Sequence, residues 1–473
     1  MAGLFPVVDV SSRMPLAEGV LTMWRYVFDA QRLNQVWSQH RGRCYENLIS
    51  FPTMTHLIAD ALLQYGGSGR RSFEKNIESG GLASSFQAAF GKLGRLPLPV
   101  SQALLAEGTV ALRELFPAQS GRRLPASLQA FAVILIDGKT IKNVAKQLGP
   151  LRGVGGGMLG GKAVVALEWR TGLALAMQAH PDGDASEKRL VADLVTQLDE
   201  RATSPRLFVA DRGFADLVQA ARFTARPDDH FVFRQHGGTQ FTREESCPEQ
   251  TGSDGHGRPY VQTWGWLGSA SNPGRRYVRR IVLHRAAGEE DLILITDLRD
   301  APVYPAADVL WLYQQRWGIE RMFQKVTEVF GLKRLIGGRP QACLFQFAFC
   351  LLLYNSVELM TAYIAAAQAC EVEAISKEKL FDDVHRELIA WDVLFTPEQT
   401  IVRFQAPLSA GQVQSRLQEL WACVWSETWR QSPPRRNQPS VLRQTKRGHN
   451  CVHRLLQASK KPAMKAKKAT QRC

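Results

Sequence analysis

Three acids and two partners are spaced for phosphate chemistry. The stretch from Leu312 to Val326 reads LYQQRWGIERMFQKV, with Glu320 as its single acid. At 100° per residue, Tyr313 lies ~20° and Arg316 ~40° from Glu320 on a helix. A Tyr, Arg and Glu face can serve metal and phosphate together. An ordinary Arg–Glu surface pair, worth a few tenths of a kcal/mol, fits the same spacing. Two further acids end apolar runs: Asp137 closes FAVILID and Asp211 closes RLFVAD. A carboxylate at a strand end, aimed into a crevice, is where open α/β sheets bind ligands. Three converging carboxylates repel, each pair costing ~1–4 kcal/mol at ~4 Å. A divalent cation removes that cost, and oxygen-only ligands with open positions suit Mg²⁺ or Mn²⁺. Two such ions ~3.5–4 Å apart can clamp the attacking and leaving oxygens of a phosphodiester.

The elements that must position these acids are legible as texture. Residues 1–125 carry apolar residues at helical spacing, as in LAEGVLTMWRYVFDAQRL. From Phe131 the pattern changes to strand, strand, strand, helix, strand, helix, strand. The second and third strands form a hairpin turning at Arg170-Thr171-Gly172, and Asp184 and Glu187 stand at capping-box spacing before a helix. This order predicts a ribonuclease-H-like α/β core. Residues 237–291 are turn-rich with alternating strands, a β-rich insertion; DLILITDL then returns to the core. The expected domains are a helical, DNA-binding 1–125, core parts 126–236 and 292–370 around the insertion, a helical 371–432 and a basic tail 433–473.

The 473 residues are 45% hydrophobic, enough for real cores, and carry a net charge of +15. Twelve Lys and Arg and no acid fall in the last 43 residues, an electrostatic footprint for nucleic acid or a solubilising tail. The 8 cysteines form no CxxC pair, which argues against a zinc ribbon or redox motif and for a reducing cytoplasm. His449-Asn-Cys451-Val-His453 lacks a partner half-site for zinc. No secretory leader is evident, and LFQFAFCLLLY is too short and interrupted to span a bilayer, so no membrane partner is expected. GGMLGGKA misses a phosphate-binding loop because Ala163 replaces the Ser/Thr and a strand follows.

IDGKT at Asp137, VADRGF at Asp211 and YQQRWGIE ending at Glu320 resemble the DDE transposases of bacterial insertion sequences. The resemblance is to the cut-and-paste group with a Tyr-x2-Arg-x3-Glu-x6-Lys signature and a β-rich insertion, and it covers about 130–360. The acids are 74 and 109 positions apart. It implies Asp137, Asp211 and Glu320 as catalytic ligands of two Mg²⁺ ions, with Mn²⁺ as substitute. It implies phosphate contacts from Tyr313 and Arg316, DNA at the element's ends and target as substrate, and a homodimer bridging two ends. Lys139, Arg212, Lys325 and Lys333 are further candidate DNA contacts. Trp264 and Trp266 share a strand face, suited to core packing or to holding a flipped base. Position 327, where the signature has Lys, is Thr. That departure keeps open an idle transposase-derived DNA-binding protein, and a plain metal-dependent nuclease is a third reading. Asp297, also at a strand end, is the rival third carboxylate, or a cap.

Overall fold

The computed structural model describes residues 13–118, 120–285, 289–404, 408–431 and 448–459. Six helices come first: α1 (Pro15–Val27), α2 (Ala30–His40), α3 (Phe51–Leu63), α4 (Gly69–Glu78), α5 (Phe86–Leu93) and α6 (Leu98–Glu114). Side chains of Asp29, Ser50, Ser68 and Ser85 cap α2 to α5 by accepting from free backbone N–H groups. There follow β1 (Ala132–Thr140), β2 (Gly157–Leu159), β3 (Lys162–Glu168), β4 (Ala174–His180), α7 (Val191–Asp199), β5 (Arg206–Ala210), α8 (Leu217–Phe223) and β6 (His230–Arg234). Five more strands are β7 (Phe241–Arg243), β8 (Gln250–Ser253), β9 (Pro259–Leu267), β10 (Arg276–Leu283) and β11 (Leu292–Thr296). The chain continues through α9 (Ala306–Gln315), α10 (Trp317–Glu328), α11 (Pro340–Ala367), α12 (Lys377–Leu394), α13 (Pro397–Arg403), α14 (Ala410–Ala422) and β12 (His449–Cys451).

The fold is mixed α/β around one sheet of order β4-β3-β1-β5-β6-β11-β10-β9-β7, with β8 also on β9. β1, β5 and β6 are parallel neighbours; the rest of the path is antiparallel. The central strands are apolar on both faces because both are covered. Val133, Leu135, Leu207 and Val209 face the large helical core, while Ile134, Ile136, Phe208 and Ala210 pack with α7 and α8 on the other side.

α11 starts at Pro340, whose missing N–H costs nothing at a first helical position. It is long and apolar enough to cross a membrane by length and composition, yet its apolar window is wholly buried inside the fold. Its buried polar groups are matched. Asn355 exchanges hydrogen bonds with the Ala174 backbone, and Gln346 serves Ile336, Gly331 and Arg334 backbone groups. Glu358 pairs with Lys377 at 2.6 Å and Arg122 at 3.2 Å. Burial alone would raise its pKa; Lys377 and Arg122 overcome that and hold it at about 2.

Two local expectations change. The capping box at Asp184 and Glu187 does not form: α7 begins only at Val191, and Glu187 instead packs against Gly138 and pairs with Lys162 at 3.5 Å. The helix expected across Leu312–Val326 is divided at Arg316, where Arg316 N–H donates to Tyr313 and Ile319 N–H to Arg316 in tightened i to i+3 turns.

Glu358→Gln strands the Arg122 and Lys377 charges in the core. It is expected to cost roughly 3–5 kcal/mol in urea unfolding at neutral pH. A loss below ~1 kcal/mol would show that the two cations do not depend on Glu358.

Candidate active site at the end of the parallel strands

The register of β1 on β5 aligns Ile136 with Ala210. Asp137 and Asp211 are each one residue further, at the same level of adjacent parallel strands that run ~4.8 Å apart. The next pair, Ala210 with Phe233, puts Arg234 in the same row on β6. Side chains alternate along a strand, so Asp137 shares the face of Leu135, the face that α10 covers. Gly138 points the other way and has no room for a Cβ, which would collide with the Glu187 carboxylate. Its N–H donates to Asp137 Oδ1 at 2.8 Å. Asp211 caps the short turn that follows β5, accepting from Gly213 N–H at 2.7 Å.

Glu320 reaches this edge from the first turn of α10, and Arg316 ties it there. The Arg316 guanidinium lies 2.7 Å from Glu320 and 3.6 Å from Asp137. It is buried, and its Nε has no hydrogen-bond partner. The Arg316–Glu320 pair is therefore not on an open surface. Burial pushes Asp137 up to about 7; Asp211 and Glu320 add to the rise, and the Gly138 N–H and Arg316 oppose it. The Tyr313 phenol is raised by burial and lies in the field of Arg316, Asp211 and Arg234. Asp137, Asp211 and Glu320 offer oxygen donors of the kind a hard divalent cation takes, although their ligand atoms do not all lie within 4.8 Å of one another. In this arrangement Arg316 occupies the position of a shared counter-charge.

Other candidates fall in different places. Lys139, on the Asp137 face, sits 5.5 Å over the Phe323 ring of α10. Arg212 is exposed directly after Asp211. Thr327 turns its hydroxyl back to the Phe323 carbonyl. Gly331, at φ +84°, reverses the chain there, and Lys333 N–H closes on the Thr327 carbonyl at 3.0 Å. Lys333 is thus the base beside the position that Thr327 occupies, and it is exposed. Lys325 is turned away into a cavity of about 490 Å³ with Arg122, Trp169, Arg321 and Lys377, where burial lowers its pKa.

Trp264 and Trp266 are not at this edge. Trp266 aligns through β10, β11 and β6 with the level of Leu207, four residues back from Asp211 and four strands away. That separation is roughly 20 Å or more. Trp264 is buried and donates to the Arg299 carbonyl, and Trp266 has Arg275 over its ring and meets Tyr277 edge-on. Asp297 caps Phe231 N–H at 2.8 Å and pairs with His230 at 2.9 Å, a strand-end brace. Among the described residues, one trio of acid, His or Cys ligand atoms lies within 4.8 Å: Asp182, Asp184 and Cys451. Arg454 already neutralises both of its carboxylates, at 2.9 and 3.2 Å.

Two residues escaped the sequence reading. Arg234 ends an apolar strand and shows its alignment with Asp211 only through sheet register. Trp317 stands inside the quoted stretch, 60% exposed beside Arg316. The available signal was a tryptophan three residues before the candidate acid Glu320 and next to Arg316.

Residues 130–356 match a family model described as Transposase DDE domain. Over this span the chain is similar to transposase DDE domains. All three acids and the whole parallel core lie inside the matched span, while the six N-terminal helices and the segments after 356 lie outside it. Transposase DDE domains act on DNA and use divalent metal ions. No curated protein matches the chain.

Arg316→Ala removes a cation that competes for Asp137 and Glu320. A unit charge at ~4 Å is worth roughly 1–4 kcal/mol here. Mn²⁺ affinity of the DNA-free protein, read by calorimetry or electron paramagnetic resonance, is expected to rise about tenfold. Unchanged or weaker binding would mean that Arg316 does not guard the metal position.

Proposed function

We propose that this chain is a transposase that cuts DNA at its element's inverted-repeat ends and joins those ends to target DNA. One observation carries the reading. Asp137 and Asp211 stand level on adjacent parallel strands, Glu320 is drawn to them through Arg316, and the transposase domain spans all three. Asp137, Asp211 and Glu320 would hold two Mg²⁺ ions, with Mn²⁺ as substitute. Bound Mg²⁺ supplies charge that activates water and stabilises the pentavalent phosphoryl group.

The chain's own residues do the rest. Asp137, raised chiefly by burial, would be kept ionised by a bound cation. Arg316 is then released to turn its planar fork onto a DNA phosphate, with two parallel N–H donors. Tyr313 braces it from 5.8 Å beneath. Lys333, Lys139 and Arg212 offer further phosphate contacts around the edge, and Trp317 offers a face on which a base unstacked at the cut can rest. Water attack breaks a P–O3′ bond and leaves a 3′-OH. That hydroxyl forms a new P–O3′ bond on target DNA as another breaks, so bond energy is conserved and one site serves both steps. Two ends cut in concert require two such sites, which a homodimer provides. The ribonuclease-H-like description of 126–236 with 292–370, and of 237–291 as its insertion, belongs to this reading.

Incubation with DNA flanking the gene tests it, with Mg²⁺ or Ca²⁺. Cleavage with Mg²⁺ alone and joined products support a transposase. Cleavage without joining points to a nuclease, and binding without cleavage to the idle protein that Thr327 suggests.

Asp137→Asn, Asp211→Asn and Glu320→Gln are each expected to lower cleavage at least 10³-fold, while gel-shift affinity for the end stays within about threefold. Wild-type cleavage by any one of them at saturating Mg²⁺ removes that residue from the site. Trp317→Ala is expected to slow cleavage about tenfold on intact duplex and to recover on a duplex mismatched at the cut, since stacking is worth roughly 1–3 kcal/mol per base. Equal slowing on both substrates would show that Trp317 holds no base.

A further inference from the structure

The 30 residues that follow Asp137, from Gly138 to Leu167, contain five bases and no acid. Lys139 and Lys162 belong to β1 and β3, while Lys142, Lys146 and Arg152 are exposed on the segment 141–161 between them. Thr140 aligns with Lys162, and Lys162 with His180, so this segment and the turn 181–184 both rise from the sheet end that carries Asp137 and Asp211. The segment is firmly seated. Ile141, Val144, Leu151 and Met158 are buried in the helical core. Ile141 N–H donates to the Gly161 carbonyl, and Gly160 N–H to the Ile141 carbonyl. A Cβ at Gly160 would collide with Val144 and Cys343, and one at Gly161 with Leu344, so the segment rests on the start of α11.

Its outer edge is closed by a strand from far down the chain. β12 adds to β2 in parallel, pairing His449 with Gly157, Asn450 with Met158 and Cys451 with Leu159. The fit is close: a Cβ at Gly156 would collide with the Gly448 carbonyl. Cys451 and Val452 are buried. Beyond them Arg454 pairs with Asp182 at 2.9 Å and with Asp184 at 3.2 Å. Burial would raise the Asp182 carboxyl; the Asp184 N–H, the Cys451 thiol and Arg454 overcome that and hold it below the usual carboxylate range. Two negative charges therefore stand beside the basic segment, and Arg454 is their counter-charge. Residues 449–459 lie outside the span matched to the transposase family.

The segment is also near the acids. Lys142 is five residues beyond Asp137, so its backbone lies within ~18 Å of it. At 3.4 Å per base pair that is about five base pairs along a duplex.

We propose that the segment 141–161 is a DNA-backbone contact surface beside the acids, where Lys142, Lys146 and Arg152 hold phosphates of the duplex flanking the scissile bond and Arg454 keeps Asp182 and Asp184 from repelling it. The inference rests on the proposed function and goes further: it names the segment that faces the flanking duplex, and a residue that serves it through charge alone.

The test uses full-length Glu320→Gln protein, which keeps the DNA intact, on a duplex carrying the element's end. Hydroxyl-radical footprints and salt-dependent affinities are compared for the parent and four variants of it. Lys142→Ala with Lys146→Ala and Arg152→Ala is expected to erase backbone protection beside the cut and to lower the log–log salt slope by up to about 3, roughly 0.9 for each lost phosphate contact. The charge-keeping set Lys142→Arg, Lys146→Arg and Arg152→Lys is expected to keep both. Arg454→Ala is expected to weaken end binding about fivefold and to thin the same protection. Adding Asp182→Asn and Asp184→Asn to it is expected to return affinity to within about twofold of the parent, although no ion pair is rebuilt. The proposal is overturned if the alanine set keeps the parent's footprint and slope, or if the charge-keeping set loses them as fully as the alanine set does. It is equally overturned if Arg454→Ala binds as the parent does, or if the two asparagines fail to rescue it. Absence of any footprint by the parent overturns the functional reading itself.

Discussion

Arg316 is held between two carboxylates, at 2.7 Å from Glu320 and 3.6 Å from Asp137, in a place that solvent scarcely reaches. Its charge offsets those of the two carboxylates it touches, since neighbouring like charges partly withdrawn from water are costly to keep ionised together. Asp137 rises to about 7 chiefly because it is buried, with the Gly138 N–H and Arg316 working against the rise.

The remainder of the fold serves that site by rigidity. The β1–β5–β6 register sets the level of Asp137, Asp211 and Arg234, and no loop adjustment can change it without slipping a strand whose faces are both buried. The third acid is less firmly held. α10 joins α9 at a tightened turn through Arg316 itself, so the residue that bridges the acids is also the hinge of the element that carries one of them. α11 backs this arrangement, and its Glu358 cluster turns three charges inward at a depth where only mutual pairing makes them tolerable.

The helices of residues 1–125, the apolar strands ending in Asp137 and Asp211, and the i, i+4 spacing of Arg316 and Glu320 were all legible in the chain, because period and turn chemistry are local properties. Asp137 and Asp211 stood out as candidates for the same reason, since a carboxylate ending an apolar run is unusual enough to notice. Strand register is not local. It placed Arg234 in the row of acids, took Trp266 roughly 20 Å away from them, and turned Asp297 into a brace. Chain reversal at Gly331 brought Lys333 to Thr327, while α10 turned Lys325 into a cavity, although both lysines looked equivalent along the sequence. The pairing of β12 with β2 was the least legible of all: three residues of weak strand character carry no local signal. Only the glycines that make room for them, far away in the chain, and the burial of Cys451 and Val452 decide where they dock.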